Sequence, residues 1–255
     1  MILNAPRISA HALFGPYCRR EFVLADEAAT YTHRDWRRSL CLRARYDSPG
    51  MRHLLINIER EMASPGFERV KHDRTTTVGY TSRDGRRLVV KRYNTKNLWH
   101  FVRRSVRRSR AQNCFDFARE LLAANIATAP PVAYVEYRAG PLKGRSWVIC
   151  EHVDGTLCLD YVLNEASQHE VAELAARFER LFQRLARLKI THGDMKASNF
   201  ILRESRFPVL IDLDGMRRHS NEASYRAARQ RDRERFMKNW RDRPDLAMCF
   251  SRVEW

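Results

Sequence analysis

The chain has 255 residues, 44% of them hydrophobic, and a formal net charge of +17. That length can bury a full core, as one large domain or as two lobes, and the hydrophobic content argues against a disordered chain. The pI near 10.2 implies a polyanionic partner, which could be nucleic acid, anionic lipid or a phosphorylated glycolipid; composition alone does not choose among them. No apolar run approaches the roughly 18 residues that a membrane span needs. The opening residues show no basic stretch followed by an apolar one, and the six cysteines are scattered without a CxxC pair. The expectation is a cytosolic protein with reduced thiols, soluble or attached to a membrane surface.

Residues 1–60 hold short apolar pieces (Ile2-Leu3, Phe22-Val23-Leu24, Leu54-Leu55-Ile56) among arginines and turn residues. They read as an N-terminal extension packing on the following lobe. From Phe67 the texture changes. Phe67 to His72, Thr75 to Thr81 and Arg87 to Arg92 are rich in β-branched and apolar residues. The Asp84-Gly85 step predicts a tight hairpin between the last two. A basic stretch from Lys96 to Arg110 follows, then a helical pattern through Phe115, Ala118, Leu121 and Leu122 that stops before Pro130-Pro131. Val132 to Tyr137 and Trp147 to Cys150 read as two further strands, giving a nucleotide-binding lobe over 61–152.

Beyond Asp154-Gly155 the pattern turns helical, and 153–255 reads as a second lobe. Val171, Leu174, Ala175, Phe178, Leu181, Phe182 and Leu185 recur at the spacing of an amphipathic helix. Short strands at Phe200–Leu202 and Val209–Ile211 flank a loop. The stretch Glu222 to Arg241 predicts an arginine-rich helix anchored by Phe236 and Trp240.

The chemistry concentrates in His192-Gly193-Asp194-Met195-Lys196-Ala197-Ser198-Asn199 and, after an apolar run, Asp212-Leu213-Asp214-Gly215. Phosphoryl transfer from a metal-bound nucleotide needs a carboxylate for the acceptor hydroxyl, a cation for the phosphate and oxygen ligands for magnesium. These residues provide all of them at short, fixed offsets.

A strand lysine, a helix glutamate, a connector, a long helix, HGDxKxxN and DxDG, in that order, resemble a kinase-like phosphotransferase. More narrowly they resemble the bacterial lipopolysaccharide kinase family, the Kdo and heptose kinases of the inner core. The resemblance covers about residues 67–215, with a weaker echo in Arg235-Phe236 to Trp240. It implies an α+β, two-lobed protein-kinase-like fold with a small antiparallel-sheet N-lobe and a mainly helical C-lobe, using ATP and Mg2+. Asp194 is then the catalytic base, acting mainly by positioning, and Lys196 reaches the transferring phosphate. Asn199 and Asp212 hold the metal, and Asp214 is either a second metal ligand or a loop cap. Lys91 binds the α- and β-phosphates, with Glu120 as its acidic partner and Asp116 as the fallback. Glu151, in Cys150–Val153, marks the hinge that meets adenine through its backbone. His192 is expected to hold backbone near the metal-binding acid. Gly193 departs from the arginine found there in many protein kinases. The phosphate loop at Arg74–Gly79 has a single glycine, leaving backbone NH groups and threonine hydroxyls to cover the phosphates.

The implied acceptor is a sugar hydroxyl of the lipopolysaccharide core or another anionic glycolipid, reached at the inner face of the bacterial inner membrane. The mixed aromatic and arginine segment Trp99–Arg110 suits an anionic membrane surface, each charge adding about 1 kcal/mol. Nucleic acid is set aside as the partner. Two rival readings stand beside this one: a small-molecule or protein Ser/Thr kinase of the same fold, and a basic nucleic-acid or membrane-binding module with a vestigial kinase core.

Overall fold

The computed structural model describes residues 18–21, 29–94, 108–140, 142–204 and 206–255. Most of the basic Trp99–Arg110 segment lies outside the described residues. The chain divides into two compact units, Met1–Gln112 with Pro131–Glu151, and Asn113–Pro130 with His152–Trp255. The architecture is the expected α+β, kinase-like one, with a sheet unit and a mainly helical unit.

The first unit is built on an eight-stranded sheet. Its strands are β1 (Cys18–Glu21), β2 (Thr30–Arg34), β3 (Arg38–Arg43), β4 (Glu68–His72), β5 (Thr76–Arg83), β6 (Arg86–Tyr93), β7 (Pro131–Ala139) and β8 (Leu142–Glu151). They lie in the order β1-β2-β3-β7-β8-β6-β5-β4, with every neighbouring pair antiparallel. The five strands β4 to β8 answer to the segments read from the sequence. The extension does more than pack on this lobe, because β3 pairs along β7 and carries β1 and β2 into the same sheet. At the β5–β6 hairpin Arg83 pairs with Arg86. Asp84 and Gly85, both at positive φ (52° and 72°), make the predicted two-residue turn.

Two helices from the extension, α1 (Pro49–Ile56) and α2 (Ile58–Glu61), cover one face of the sheet. Ser48 starts α1 by accepting the Met51 amide at 3.0 Å, with Pro49 in the first turn. Leu54, Leu55 and Ile58 are buried in one cluster with Leu40, Leu42, Leu88, Val90, Val135, Trp147 and Ile149. Leu88 and Val90 point into that cluster. The alternation along β6 therefore sends Lys91 to the opposite face.

The second unit holds α3 (Arg110–Ala123) from Asn113 onward, together with α4 (Cys158–Asn164), α5 (Gln168–Arg187), α6 (Glu222–Met237), α7 (Pro244–Ser251) and several short strands. These are β9 (Thr156–Leu157), β10 (Ile190–Thr191), β11 (Phe200–Leu202), β12 (Pro208–Leu210) and β13 (Arg217–Arg218). A capping box starts α5: the Glu170 amide donates to Ser167 Oγ, and the Ser167 amide donates to the Glu170 carboxylate. The Tyr161 hydroxyl and the Ser167 donors hold the Glu170 pKa down at about 2. The buried stripe of α5 is the one its periodicity predicts, from Val171 to Leu185.

Phe178 of α5 is the hub of an aromatic core. Its ring lies 4.8 Å from that of Phe200, 5.1 Å from Phe236 and 5.6 Å from Phe182. Phe200 directly follows Asn199 and Phe236 directly follows Arg235, so this packing fixes where both polar residues emerge. Phe178→Ala removes a fully buried ring and is expected to cost about 3–5 kcal/mol. It should appear as a lower urea midpoint with an unchanged slope. Among the described residues, no helix is long and apolar enough to cross a membrane.

Candidate active site

The 192–199 segment leaves β10 and ends on β11 with alternating burial. Met195 and Ala197 are buried, while Asp194 and Lys196 are partly exposed. The two apolar residues plug the loop into the helical unit and turn the two charged ones outward. A short 3₁₀ turn over Ala197–Asn199 then brings Asn199 back toward Asp194. The Asn199 Nδ2 donates to the Asp194 backbone oxygen at 2.7 Å and lies 3.4 Å from Asp194 Oδ2. The amide nitrogen is thus directed inward, and the amide oxygen is the atom left to bind a cation. Lys196 Nζ sits 2.8 Å from Asp194 Oδ2. The structure therefore brings Asp194, Lys196 and Asn199 into direct contact.

Asp212 is placed by the β11–β12 hairpin. Phe200 pairs with Leu210, and one step outward the Ile211 amide donates to the Asn199 backbone oxygen at 2.9 Å. This register sets Asp212 at the end of the hairpin next to Asn199. Asp212 adopts φ 63°, ψ 53°, a left-handed conformation costing a non-glycine residue on the order of 1–3 kcal/mol. Ile211 is held on both sides, because His192 Nε2 lies 3.1 Å from its oxygen. His192 is fully buried and its Nδ1 accepts the Asp194 amide at 3.3 Å. That is the scaffold role expected of it. The Asp214 oxygen accepts from Asn113 Nδ2 at 3.1 Å, as does the Met216 oxygen, so α3 is pinned to the loop that follows Asp212.

Gly193 has φ 81°, and a Cβ there would lie 2.9 Å from the Gly215 oxygen. Both facts disfavour, in this loop conformation, the arginine that many protein kinases place at this position.

Two residues of α6 complete the loop's setting, and neither was singled out in the sequence for this. Asp232 is only 4% exposed. Its carboxylate accepts the His192 amide at 2.6 Å and the Gly193 amide at 2.9 Å. One turn on, Arg235 Nη1 donates to the Gly193 oxygen at 2.6 Å and to Asp194 Oδ1 at 2.9 Å. In the run Arg231-Asp232-Arg233-Glu234-Arg235 both look like surface charge. The available signal was spacing, since Asp232 falls on the buried stripe with Tyr225 and Phe236. Burial raises the Asp194 pKa, but the Lys196 ammonium, the Arg235 guanidinium and the Asn199 amide outweigh it and hold the carboxyl below its ordinary value.

On the sheet unit, Lys91 pairs in register with Val78, at the end of the sheet that carries the 73–75 turn. Its Nζ lies 5.3 Å from the centre of the Tyr93 ring. The phosphate-loop expectation needs correcting for the threonine donors. The Thr75 and Thr76 amides both donate to Asp73 Oδ1 at 2.7 Å, and the Thr75 hydroxyl lies 2.8 Å from the same oxygen. These bonds hold the Asp73 carboxyl well below the usual carboxylate range. The turn is closed on its own carboxylate in this state, so these donors are not turned outward for a phosphate. Glu151 is the last residue of the sheet unit and its carboxylate pairs with Arg86 at 3.0 Å. Glu120 belongs to the helical unit, where its carboxylate pairs with Arg218. Lys91 and Glu120 thus belong to different units.

Among the described residues, no group of three His, Cys, Asp or Glu side chains could hold an ion alone. One carboxylate and one amide suit a magnesium ion that keeps phosphate and water oxygens as its other ligands.

Comparison with curated proteins gives no match. The model of the lipopolysaccharide kinase (Kdo/WaaP) family matches residues 65–247, a span that takes in the five strands β4 to β8 and the whole 192–215 site. With that match over most of its length, the chain belongs to the lipopolysaccharide kinase (Kdo/WaaP) family and is a phosphotransferase.

Proposed function

We propose that the protein transfers the γ-phosphate of ATP to a sugar hydroxyl of the lipopolysaccharide inner core, on heptose or Kdo. The observation that carries this reading is the contact set at Asp194, with Lys196 on one carboxylate oxygen and Asn199 behind it. Asp194 orients the acceptor hydroxyl and receives its proton, and Lys196 turns from Asp194 to the phosphate being transferred. Asn199 and Asp212 would hold the magnesium ion, which when bound would supply charge neutralisation for the phosphate oxygens. Lys91 takes the α- and β-phosphates, with Glu120 as its proposed acidic partner, and the backbone at Glu151 meets the adenine. His192 and Asp232 hold the loop's shape.

The acceptor side rests on the family match and on charge. A net +17 suits a substrate bearing phosphates and a site of action on an anionic membrane surface, at the inner face of the inner membrane. Mass spectrometry of the lipopolysaccharide core tests the proposal in cells lacking the protein, then restored with the wild-type or the Asp194→Asn chain. One phosphate should be missing without the protein and return only with the wild type. An unchanged core, together with transfer to an aminoglycoside or a generic protein in vitro, would assign the enzyme to another acceptor.

A further inference from the structure

Gly193 leaves the loop without a cation of its own before the aspartate, and Arg235 of α6 supplies one from outside it. The same Nη1 meets the backbone oxygen of Gly193 and the side-chain oxygen Oδ1 of Asp194. One group therefore ties the carboxylate's orientation to the path of the loop. The other oxygen, Oδ2, faces Lys196 Nζ at 2.8 Å. Both carboxylate oxygens are thus covered by cations, but the two cations differ in what else holds them. Arg235 is fastened at Gly193 as well, and Phe236 beside it is fully buried. Lys196 stands on a flexible stem and, in the reading above, serves the phosphate being transferred.

We infer that Arg235 is a positioning residue of phosphate transfer: it keeps Asp194 Oδ1, so that Oδ2 is the oxygen presented to the acceptor hydroxyl once Lys196 moves to the phosphate. The inference rests on the reading of Asp194 given above. In the step itself the acceptor oxygen forms its bond to the γ-phosphorus as the bond from that phosphorus to the bridging oxygen breaks. The bridging electron pair leaves with ADP, and the hydroxyl proton passes to Oδ2. Without Arg235 the carboxylate can rotate, and either oxygen can stay with Lys196. The lysine is then held back from the phosphate and the hydroxyl loses its fixed acceptor.

The side chains of Arg235 and Asp194 are 47% and 38% exposed, and an ion pair so exposed contributes little to stability. A role in positioning and a role in folding therefore predict different results. Full-length Arg235→Met, assayed with magnesium-ATP and lipopolysaccharide, is expected to lose kcat by about a hundredfold. Its KM for ATP should stay within about twofold of wild type, because the loss arises after nucleotide binding. Its melting temperature should be nearly unchanged. Arg235→Lys, which keeps the charge but not the fork, should recover part of kcat. Added guanidinium at non-denaturing concentration should rescue Arg235→Ala, which a purely structural residue would not show.

Wild-type kcat in Arg235→Met, alongside an inactive Asp194→Asn, overturns the inference and leaves the reading of Asp194 intact. Full activity in Asp194→Asn removes that reading and the inference with it. Should Arg235→Met not melt cooperatively, Arg235→Lys decides: a loss of about tenfold in kcat at unchanged ATP KM supports the inference, and wild-type kcat overturns it.

Discussion

Asp194→Asn is expected to lower the rate of phosphate transfer by about 10²–10⁴-fold, the range of a lost general base and its orienting bonds. The fold should persist, because the side chain is more than a third exposed and the loop's anchors lie elsewhere. His192 and Gly193 stay bound to Asp232 through their amides. Asn199 stays bound to the backbone oxygen of residue 194, which the substitution keeps. Asparagine has nearly the same shape but no charge, so it can neither take the acceptor's proton nor hold Lys196 and Arg235 on its two sides. Nucleotide binding should survive, since the residues assigned to it do not include Asp194. The check is single-turnover transfer from ATP to lipopolysaccharide, with magnesium-ATP affinity measured on the same preparation. Transfer within tenfold of wild type by a folded, nucleotide-binding variant would remove Asp194 from the mechanism.

The parts legible in the sequence were those whose geometry is local. HGDxKxxN encodes a loop, its turn and its return on one short segment, so residue types at fixed offsets already imply contact. The structure puts Asp194, Lys196 and Asn199 together accordingly. The α5 stripe and the Asp84-Gly85 turn were legible for the same reason, as each is a periodicity or a dihedral demand of adjacent residues. What depended on distant pairing was not. The strands β1 to β3 are short and rich in arginine, and only the pairing of β3 along β7 makes them part of the sheet. Asp73 drew no reading from the sequence, yet it engages the Thr75 and Thr76 amides at the start of the phosphate-loop segment. The contact of Glu120 with Arg218, nearly a hundred positions away in the chain, leaves no local mark either. Asp232 and Arg235 are the clearest case, because charge alternation along α6 hides which carboxylate is buried. The absence of arginine at Gly193 was visible, but its cause was not: a positive φ and the Gly215 oxygen in the way of any Cβ.

Asp232→Ala should be the most destabilising polar substitution in the helical unit. The carboxylate is nearly inaccessible and receives two backbone amides, at 2.6 Å from His192 and 2.9 Å from Gly193. Alanine leaves both donors without an acceptor where water has little access. Each such loss costs about 1–3 kcal/mol, giving roughly 2–6 kcal/mol together. That is a large share of the 5–15 kcal/mol or so that holds a typical domain together. Urea unfolding followed by tryptophan fluorescence should show it, since Trp240 is buried against Phe236 of α6. Asp232→Asn separates stability from activity. Its oxygen, in the place of Oδ2, can still accept the His192 amide at 2.6 Å and lies 3.2 Å from the Gly193 amide, but its NH2 group faces that second amide, so the fold should survive with a smaller loss. The loop would then be held firmly at His192 and only loosely at Gly193. Gly193 would be freer to leave its φ of 81°, and Asp194, one residue on, would lose its fixed direction. A misplacement of about 1 Å at a reacting group costs on the order of a hundredfold in rate. Asp232→Asn should therefore fall well below wild type in kcat while its melting temperature drops far less than that of Asp232→Ala. Wild-type stability in Asp232→Ala would mean that water or a neighbouring group replaces the carboxylate, and α6 would then not be what shapes the catalytic loop.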